Sequence, residues 1–381
     1  TSCAWVDGST FITGGEEGLV VLWSSSTGEC VARMWGHTLP VSCLIVVDIV
    51  DHGRCILSGS KDCTVRLWNI EEGLGQTSQV LVGHTCAVTA LAFSTLTREL
   101  ISVGLDRRFV IWDLTSVSVR QLHIVDTVHL SPLTSAAFSP AGNIFVTGSV
   151  DGHIHVWSMA LCRNFDSSRR RDDDNEDRSK LAESHRNAEL TLKLQGHLSD
   201  VTCCAFGQSD NLLATGSMDH SIMLWNPMSG THTGVLVGHT ATVTDLCYST
   251  DSEVLLSTST DRYFRIWSLN SGETMMKLQH GHSIYAGKFS PDSSQVLVVG
   301  DGKFIGLWNW VGRMGSASVG KVPPKPGLFV EGFVSEKYRG KARKLESSFK
   351  DSSDSSVNRI FDGHAHSGAM ITLACFSSAQ E

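Results

Sequence analysis

Short apolar runs alternate with small polar clusters along the whole chain, and the alternation repeats. Residues 57–68 read LSGSKDCTVRLW, 146–157 read VTGSVDGHIHVW and 214–225 read ATGSMDHSIMLW. Each phrase sets two β-rich segments around a Gly/Ser/Asp turn, the sequence pattern of a hairpin. Each also closes on tryptophan. The seven closing residues are Trp23, Trp68, Trp112, Trp157, Trp225, Trp267 and Trp308, separated by 45, 44, 45, 68, 42 and 41 residues. A period in the low forties with an indole at a strand end predicts a β-propeller. The expected fold is all-β: seven blades of four-stranded antiparallel sheet, with an extra terminal strand or the start of a further repeat.

Other residues recur with the tryptophan. An Asp lies six positions before it in five copies, a Ser or Thr lies ten before it, and a Gly-His pair such as Gly83-His84, Gly196-His197 or Gly238-His239 lies further upstream. An Asp can accept from the amides of its own turn and from an imidazole. The imidazole can donate onward to the hydroxyl, and the hydroxyl can bond the indole N–H. Such a chain satisfies polar groups inside a sheet, where an unpaired one costs about 1–3 kcal/mol.

On these residues the chain resembles the WD-repeat propeller family. Carried over position by position, the resemblance implies structural tetrads at His37/Ser58/Asp62/Trp68, His84/Ser102/Asp106/Trp112, His129/Thr147/Asp151/Trp157, His197/Thr215/Asp219/Trp225 and His239/Ser257/Asp261/Trp267. The Trp-Asp dipeptide itself survives only at Trp112-Asp113. A fainter likeness links the incomplete end repeats to large NACHT-plus-WD-repeat proteins.

Two repeats depart from the pattern. The repeat ending at Trp308 has Val298 in the hydroxyl position, and Asp301 sits seven residues before Trp rather than six, so the loosest blade is expected there. The first repeat has Thr13, Glu17 and Trp23 but no preceding Gly-His; Asp362-Gly363-His364 could supply the imidazole and close the ring. Residues 1–6 and 371–376 both match the first strand of a repeat, which reads as a segment of a longer protein whose repeats continue.

The long 68-residue step contains a mixed-charge insertion, 160–189, and a second insertion rich in basic, Ser and Pro residues spans 309–358. Both are expected to be disordered, to lie between the third and fourth strands of their blades, and to share one face. Ser-rich tracts beside Arg/Lys runs could be switched by phosphorylation. The insertions carry −1 and +4 of the net −8, which leaves about −11 on the rest. So acidic a body is a poor phosphate-backbone binder, and no direct nucleic-acid ligand is expected. No run of about 18 apolar residues exists and no signal peptide is visible, so no membrane association is expected. Eleven scattered cysteines without Cys-x-x-Cys, and no Asn-x-Ser/Thr sequon, point to cytoplasm or nucleus. Cys3, Cys43, Cys203, Cys204, Cys247 and Cys375 fall at strand positions and read as small buried hydrophobes.

Several catalytic or ligand-binding signals fail on chemistry. Gly-Ser-Ala-Ser-Val-Gly-Lys at 315–321 lacks the Ser/Thr a phosphate loop needs, and Pro323-Pro324 blocks the following helix. His153/His155, His280/His282 and His364/His366 offer two imidazoles each, short of a zinc set. The Ser/His/Asp groups recur with Trp at a fixed offset, as scaffolding requires and a single active site does not. No catalytic residue, cofactor or metal ligand is therefore expected. The Trp-Asp-x-Arg box of ubiquitin-ligase receptors is absent.

What remains is a non-enzymatic scaffold for proteins or peptides. The residues before each turn Asp, Lys61, Leu105, Val150, Met218 and Thr260, point to the face that carries the Gly-His loops. Arg107 and Arg262 follow their Asp there, and these seven are the candidate partner contacts. Alternatives are a sensor or autoinhibitory propeller of a NACHT-type ATPase, and a substrate-receptor component of a ubiquitin ligase.

Overall fold

The computed structural model describes residues 1–49, 53–70, 77–115, 118–127, 129–159, 190–301 and 304–310, and the backbone of two further strands, Asn358–Asp362 and Thr372–Phe376. It is a seven-bladed β-propeller. The blades are 2–34, 41–82, 88–126, 133–195, 201–237, 243–279 and 284–309, numbered here 1 to 7. Every sheet is an antiparallel meander, so consecutive strands are neighbours and every connection is short or a local insertion.

Seven apolar clusters hold the ring, one at each junction between blades. Ile144, Val146, Ile154, Val156 and Leu194 of blade 4, for example, pack with Val201, Leu213 and Trp225 of blade 5. The last junction joins blade 7, through Leu297, Val299, Ile305 and Leu307, to Phe11, Val21 and Trp23 of blade 1. The repeated tryptophans are thus the interblade wedges: Trp23, Trp68 and Trp267 are at most 2% exposed. A buried indole removes about 150–250 Å² from water, which explains why each blade closes on one.

The glycine of the Ser/Thr-Gly pair has an equally local cause. A Cβ on Gly14, Gly59, Gly148 or Gly216 would come within 2.7 Å of the Cγ1 of Val41, Val88, Val201 or Val243 on the next blade's innermost strand. The innermost strands also carry a bulge, between Val41 and Cys43 in blade 2 and at the equivalent place in the five blades that follow. The bulged residue is Ser42, Thr89, Thr134, Thr202 or Thr244. Each hydroxyl donates across the junction: Ser42 to Val88 O, Thr89 to Leu133 O at 2.9 Å, Thr134 to Val201 O, Thr202 to Val243 O, and Thr244 to Ile284 O at 2.9 Å. Thr1 likewise reaches Val41 O. A bulge re-aims one side chain without breaking the sheet. In blade 7 the bulged residue is Tyr285, and the blade 7–1 junction lacks this bond among the described residues.

Blade 7 holds three strands among the described residues. The strand after the second insertion, Asn358–Asp362, pairs with Thr372–Phe376 instead of with Ile305–Asn309. A hairpin across a short loop costs less closure entropy than pairing back across the long insertion. The first insertion does fall between the third and fourth strands of blade 4, His153–Ser158 and Leu190–Gln195. Residues 160–189 and 311–357 lie outside the described residues, as do His364 and His366 and the side chain of Cys375.

Candidate interaction face

The loops entering each blade and the turns between its second and third strands lie on one face, bonded together by the backbone. The residue before each turn Asp donates its amide to the entering loop: Lys61 to Pro40 O at 3.0 Å, Leu105 to Ala87 O at 3.0 Å, Val150 to Pro132 O at 3.1 Å, Met218 to Asp200 O at 2.9 Å and Thr260 to Thr242 O at 3.0 Å. The five side chains therefore occupy equivalent positions. Lys61 is exposed, Leu105 and Met218 are 44% and 45% exposed, and Val150 and Thr260 are half-buried. They come from five consecutive blades, with the apolar three on blades 3, 4 and 5. Arg107 and Arg262 are exposed, with φ of 64° and 70°.

Beneath this face, four blades bring the tetrad side chains together. In blade 2 the indole of Trp68 donates to Ser58 Oγ at 2.8 Å, Ser58 Oγ meets His37 Nε2 at 2.7 Å, and His37 Nδ1 meets Asp62 at 2.8 Å. Blade 3 repeats the chain through Trp112, Ser102, His84 and Asp106, with steps of 2.9, 2.8 and 2.9 Å. In blade 5 it runs through Trp225, Thr215, His197 and Asp219, at 2.9, 2.8 and 3.0 Å. Blade 6 links Trp267, Ser257, His239 and Asp261 at 2.8, 2.7 and 2.8 Å.

The direction of these bonds corrects the sequence expectation, in which the imidazole donates to the hydroxyl. The carboxylate needs a donor, so Nδ1 carries the proton and Nε2 can only accept. Ser58, Ser102, Thr215 and Ser257 therefore donate to the imidazole instead of accepting from it, and use a lone pair for the indole N–H. All four of these residues are completely buried. They are out of reach of any partner, and their role ends inside the sheet.

Burial pushes the carboxyl of Asp219 up, but bonds from Ser221, from the amides of Leu198 and Ser221 and from His197 outweigh it and hold the group at about 2. Burial lowers His37 and His197, keeping these imidazoles neutral.

The same Asp fixes the loop above it. Asp62, Asp106, Asp219 and Asp261 accept the amide of the residue after the histidine, Thr38 at 3.1 Å, Thr85 at 2.9 Å, Leu198 at 2.9 Å and Thr240 at 3.1 Å. The side chain at that position is thereby turned to solvent. In blade 5 it is Leu198, 92% exposed, and the equivalent residue in blade 4 is Leu130, 86% exposed. Sequence reasoning missed both, because the residue after the histidine follows no rule of its own. In blade 5 the Asp219 carboxylate on the amide holds that direction, whereas Leu130 points outward without such a bond among the described residues.

Blade 4 brings a second correction. Trp157 donates to Thr147 at 2.9 Å and Thr147 meets His129 at 2.9 Å, but Asp151 does not join them. It accepts from Ser149 and from the His153 amide at 3.1 Å instead, with the His153 ring 2.9 Å away but outside hydrogen-bond geometry. The cause is the residue four before Trp: a hydroxyl in blades 2 and 5, Thr64 and Ser221, which supports the latch, but an imidazole here, which lies against Asp151. His129 then stacks on His155 with ring centroids 3.5 Å apart. His129 Nδ1 and both nitrogens of His155 have no hydrogen-bond partner. Burial, with the neighbouring positive groups, lowers His129 to about 3 and His155 to about 4. The end blades differ again. Trp23 bonds Thr13 at 2.9 Å, while Glu17 is exposed. In blade 7 Val298 is fully buried, His282 is exposed and His280 packs on Phe304.

A channel of about 270 Å³ runs down the axis, lined by the bulge hydroxyls, by Cys3, Cys43, Cys203 and Cys204, and by Lys288 paired to Asp245 at 2.7 Å. Burial pushes the thiols of Cys3, Cys43 and Cys204 up to about 12, so they stay protonated and are poor nucleophiles. Among the described residues no cluster of three or more His, Cys, Asp or Glu is placed to hold a metal ion, and no helix is long and apolar enough to cross a membrane.

The sequence profile of the family described as WD40, the WD domain or G-beta repeat, matches residues 28–69, 75–113, 120–158, 188–226 and 230–268, more than half of the chain. Those five repeats each end on blades 2 to 6. Similar proteins include Protein ROOT INITIATION DEFECTIVE 3 of Arabidopsis thaliana, 23% identical over 61% of this chain and 49% of that protein. Pre-mRNA-processing factor 19 of Mus musculus is 30% identical over 40% of this chain and 29% of its own length. Transducin beta-like protein 3 of Bos taurus is 26% identical over 57% and 25%. The chain spans half or less of the length of each of these relatives.

Proposed function

The chain belongs to the WD40 repeat family, and on that premise we propose that it is a non-catalytic scaffold that docks segments of other proteins on the loop face. The observation that carries this reading is the set of apolar side chains across blades 3 to 5, with Leu105, Leu130, Leu198 and Met218 exposed and Val150 half-buried, on a face whose turns are tied by backbone hydrogen bonds. Contiguous exposed apolar groups on a soluble surface usually mark an interaction site. Rigid loops lower the ordering cost of binding, so the same contacts yield more affinity. Enzymatic chemistry is not favoured, since the channel thiols are protonated and the four latched histidines, His37, His84, His197 and His239, are committed to the tetrads. The similarity to a pre-mRNA-processing factor supports a nuclear setting and a place in an RNA-processing assembly.

Replacing Leu105, Val150 and Met218 together by Asp tests the reading. Partner capture should fall by about a hundredfold or more, while the thermal unfolding midpoint stays nearly constant, because these side chains lie at the solvent boundary. Unaltered capture by the folded variant refutes it.

A further inference from the structure

We propose that this face receives a linear segment that is apolar in its middle and acidic at both ends. The inference rests on the scaffold reading and specifies the partner's chemistry. Followed around the ring, the face changes character in order. Blade 2 presents Lys61, and blade 3 presents Arg107 beside Leu105. Blades 4 and 5 present Leu130, Val150, Leu198 and Met218, and blade 6 presents Arg262. The apolar stretch is thus bracketed by cations at both ends. Beyond them the sign reverses: Glu16 and Glu17 of blade 1 and Asp301 of blade 7 are exposed.

Two features make the bracketing more than surface variation. Arg107 and Arg262 occupy the left-handed turn position that Cys63, Gly152 and His220 hold in blades 2, 4 and 5. Neither guanidinium, nor the Lys61 ammonium, has an ion-pair partner among the described residues, whereas Arg54, Arg108 and Lys288 are all paired. The most exposed apolar residue, Leu198, is held outward by the Asp219 bond to its amide.

Opposite charges at both ends of an apolar track set the register and steer approach, and the acidic sector repels such a segment from blades 7 and 1. A nucleic-acid strand fits poorly, because evenly spaced phosphates would lie over the apolar blades as well as over the cations.

Selection of random linear peptides displayed on phage against the folded chain tests this directly. The expected consensus has Leu, Ile, Val or Phe in the centre and Asp or Glu on both flanks. A peptide of that pattern should lose about tenfold in affinity to the Arg107→Glu/Arg262→Glu variant, and a matched peptide with Lys flanks should gain by a similar factor. An apolar consensus with neutral or basic flanks, or affinity unchanged by the charge reversal, overturns the acidic assignment and leaves the scaffold reading standing. No consensus at all, together with partner capture indifferent to the Leu105/Val150/Met218→Asp variant, overturns both. Unfolding midpoints of each variant separate lost binding from lost structure.

Discussion

In blade 5, Asp219 holds His197 and the amide of Leu198; in blade 4, its counterpart Asp151 holds His153 and leaves His129 stacked on His155. The two sheets are otherwise alike: four antiparallel strands, a buried Trp bonded to a Thr (Thr215 or Thr147), and a glycine against the next blade's valine. The difference separates two jobs that the repeat usually performs together. Indole, hydroxyl and apolar packing build the blade and survive in both. The carboxylate latch fixes the entering loop, and only blade 5 has it. Blade 4 can lose the latch without losing the sheet because burial of its apolar residues at two junctions supplies most of the stability.

The comparison breaks most visibly in acid. His129 and His155 are buried and neutral, with Asp151, His153 and Lys193 as their charged or titratable neighbours. Their folded values lie below the unfolded value, so the unfolded chain binds more protons once pH falls below about 6.5. Their stabilising contribution is complete above that value and declines as pH drops toward about 4 and about 3. At about pH 5 the pair should cost about 4 kcal/mol, read as a fall in the denaturant midpoint that His155→Val should about halve. A midpoint indifferent to that substitution would mean the pair is not buried neutral.

A smaller effect separates the two carboxylates. Asp219→Ala leaves a buried imidazole N–H and the Leu198 amide without acceptors and should cost about 3 kcal/mol, whereas Asp151→Ala should cost about 1 kcal/mol. Equal losses in urea unfolding would dissolve the distinction between latched and unlatched blades. The smallest effect is a repair. His153→Thr places a hydroxyl where Thr64 sits in blade 2, freeing Asp151 for His129, and should raise stability by about 1 kcal/mol. A protected His129 Nδ1 proton in the NMR spectrum would report the restored bond, and its absence would put the cause elsewhere than at 153.

Most of the ring was readable because its parts obey fixed offsets. A buried Trp, a hydroxyl ten residues before it and an Asp six before it follow from strand geometry, and blades 2, 3, 5 and 6 keep them. The hydroxyls Ser102, Thr215 and Ser257 stand where the spacing put them, yet the polarity of their bonds to His84, His197 and His239 was misread. Spacing fixes which atoms meet, whereas the proton's place is decided by the carboxylate at the far side of the ring. The failure in blade 4 came from a competing neighbour: an imidazole two residues past Asp151 reaches it before His129 does. The outward leucines escaped notice because Leu130 and Leu198 would suit a core, and for Leu198 the bond from its amide to Asp219 is what holds it outward. The hydroxyls facing the channel were also overlooked, although Val-Ser or Val-Thr recurs at 41–42, 88–89, 201–202 and 243–244, because pairing across a junction leaves no periodic mark within one blade.

That inner row of hydroxyls makes the molecule a washer with a single saw-cut. Among the described residues six of the seven joints are pinned at the axis by such a hydroxyl, while the one between the last and first blades has apolar contact and the bond from the Trp5 indole to Lys288 O at 3.3 Å. Heat or mechanical load would part the circle there first. The amides of Ser2–Trp5 and Ile284–Phe289 should then exchange with deuterium ahead of every other axial strand.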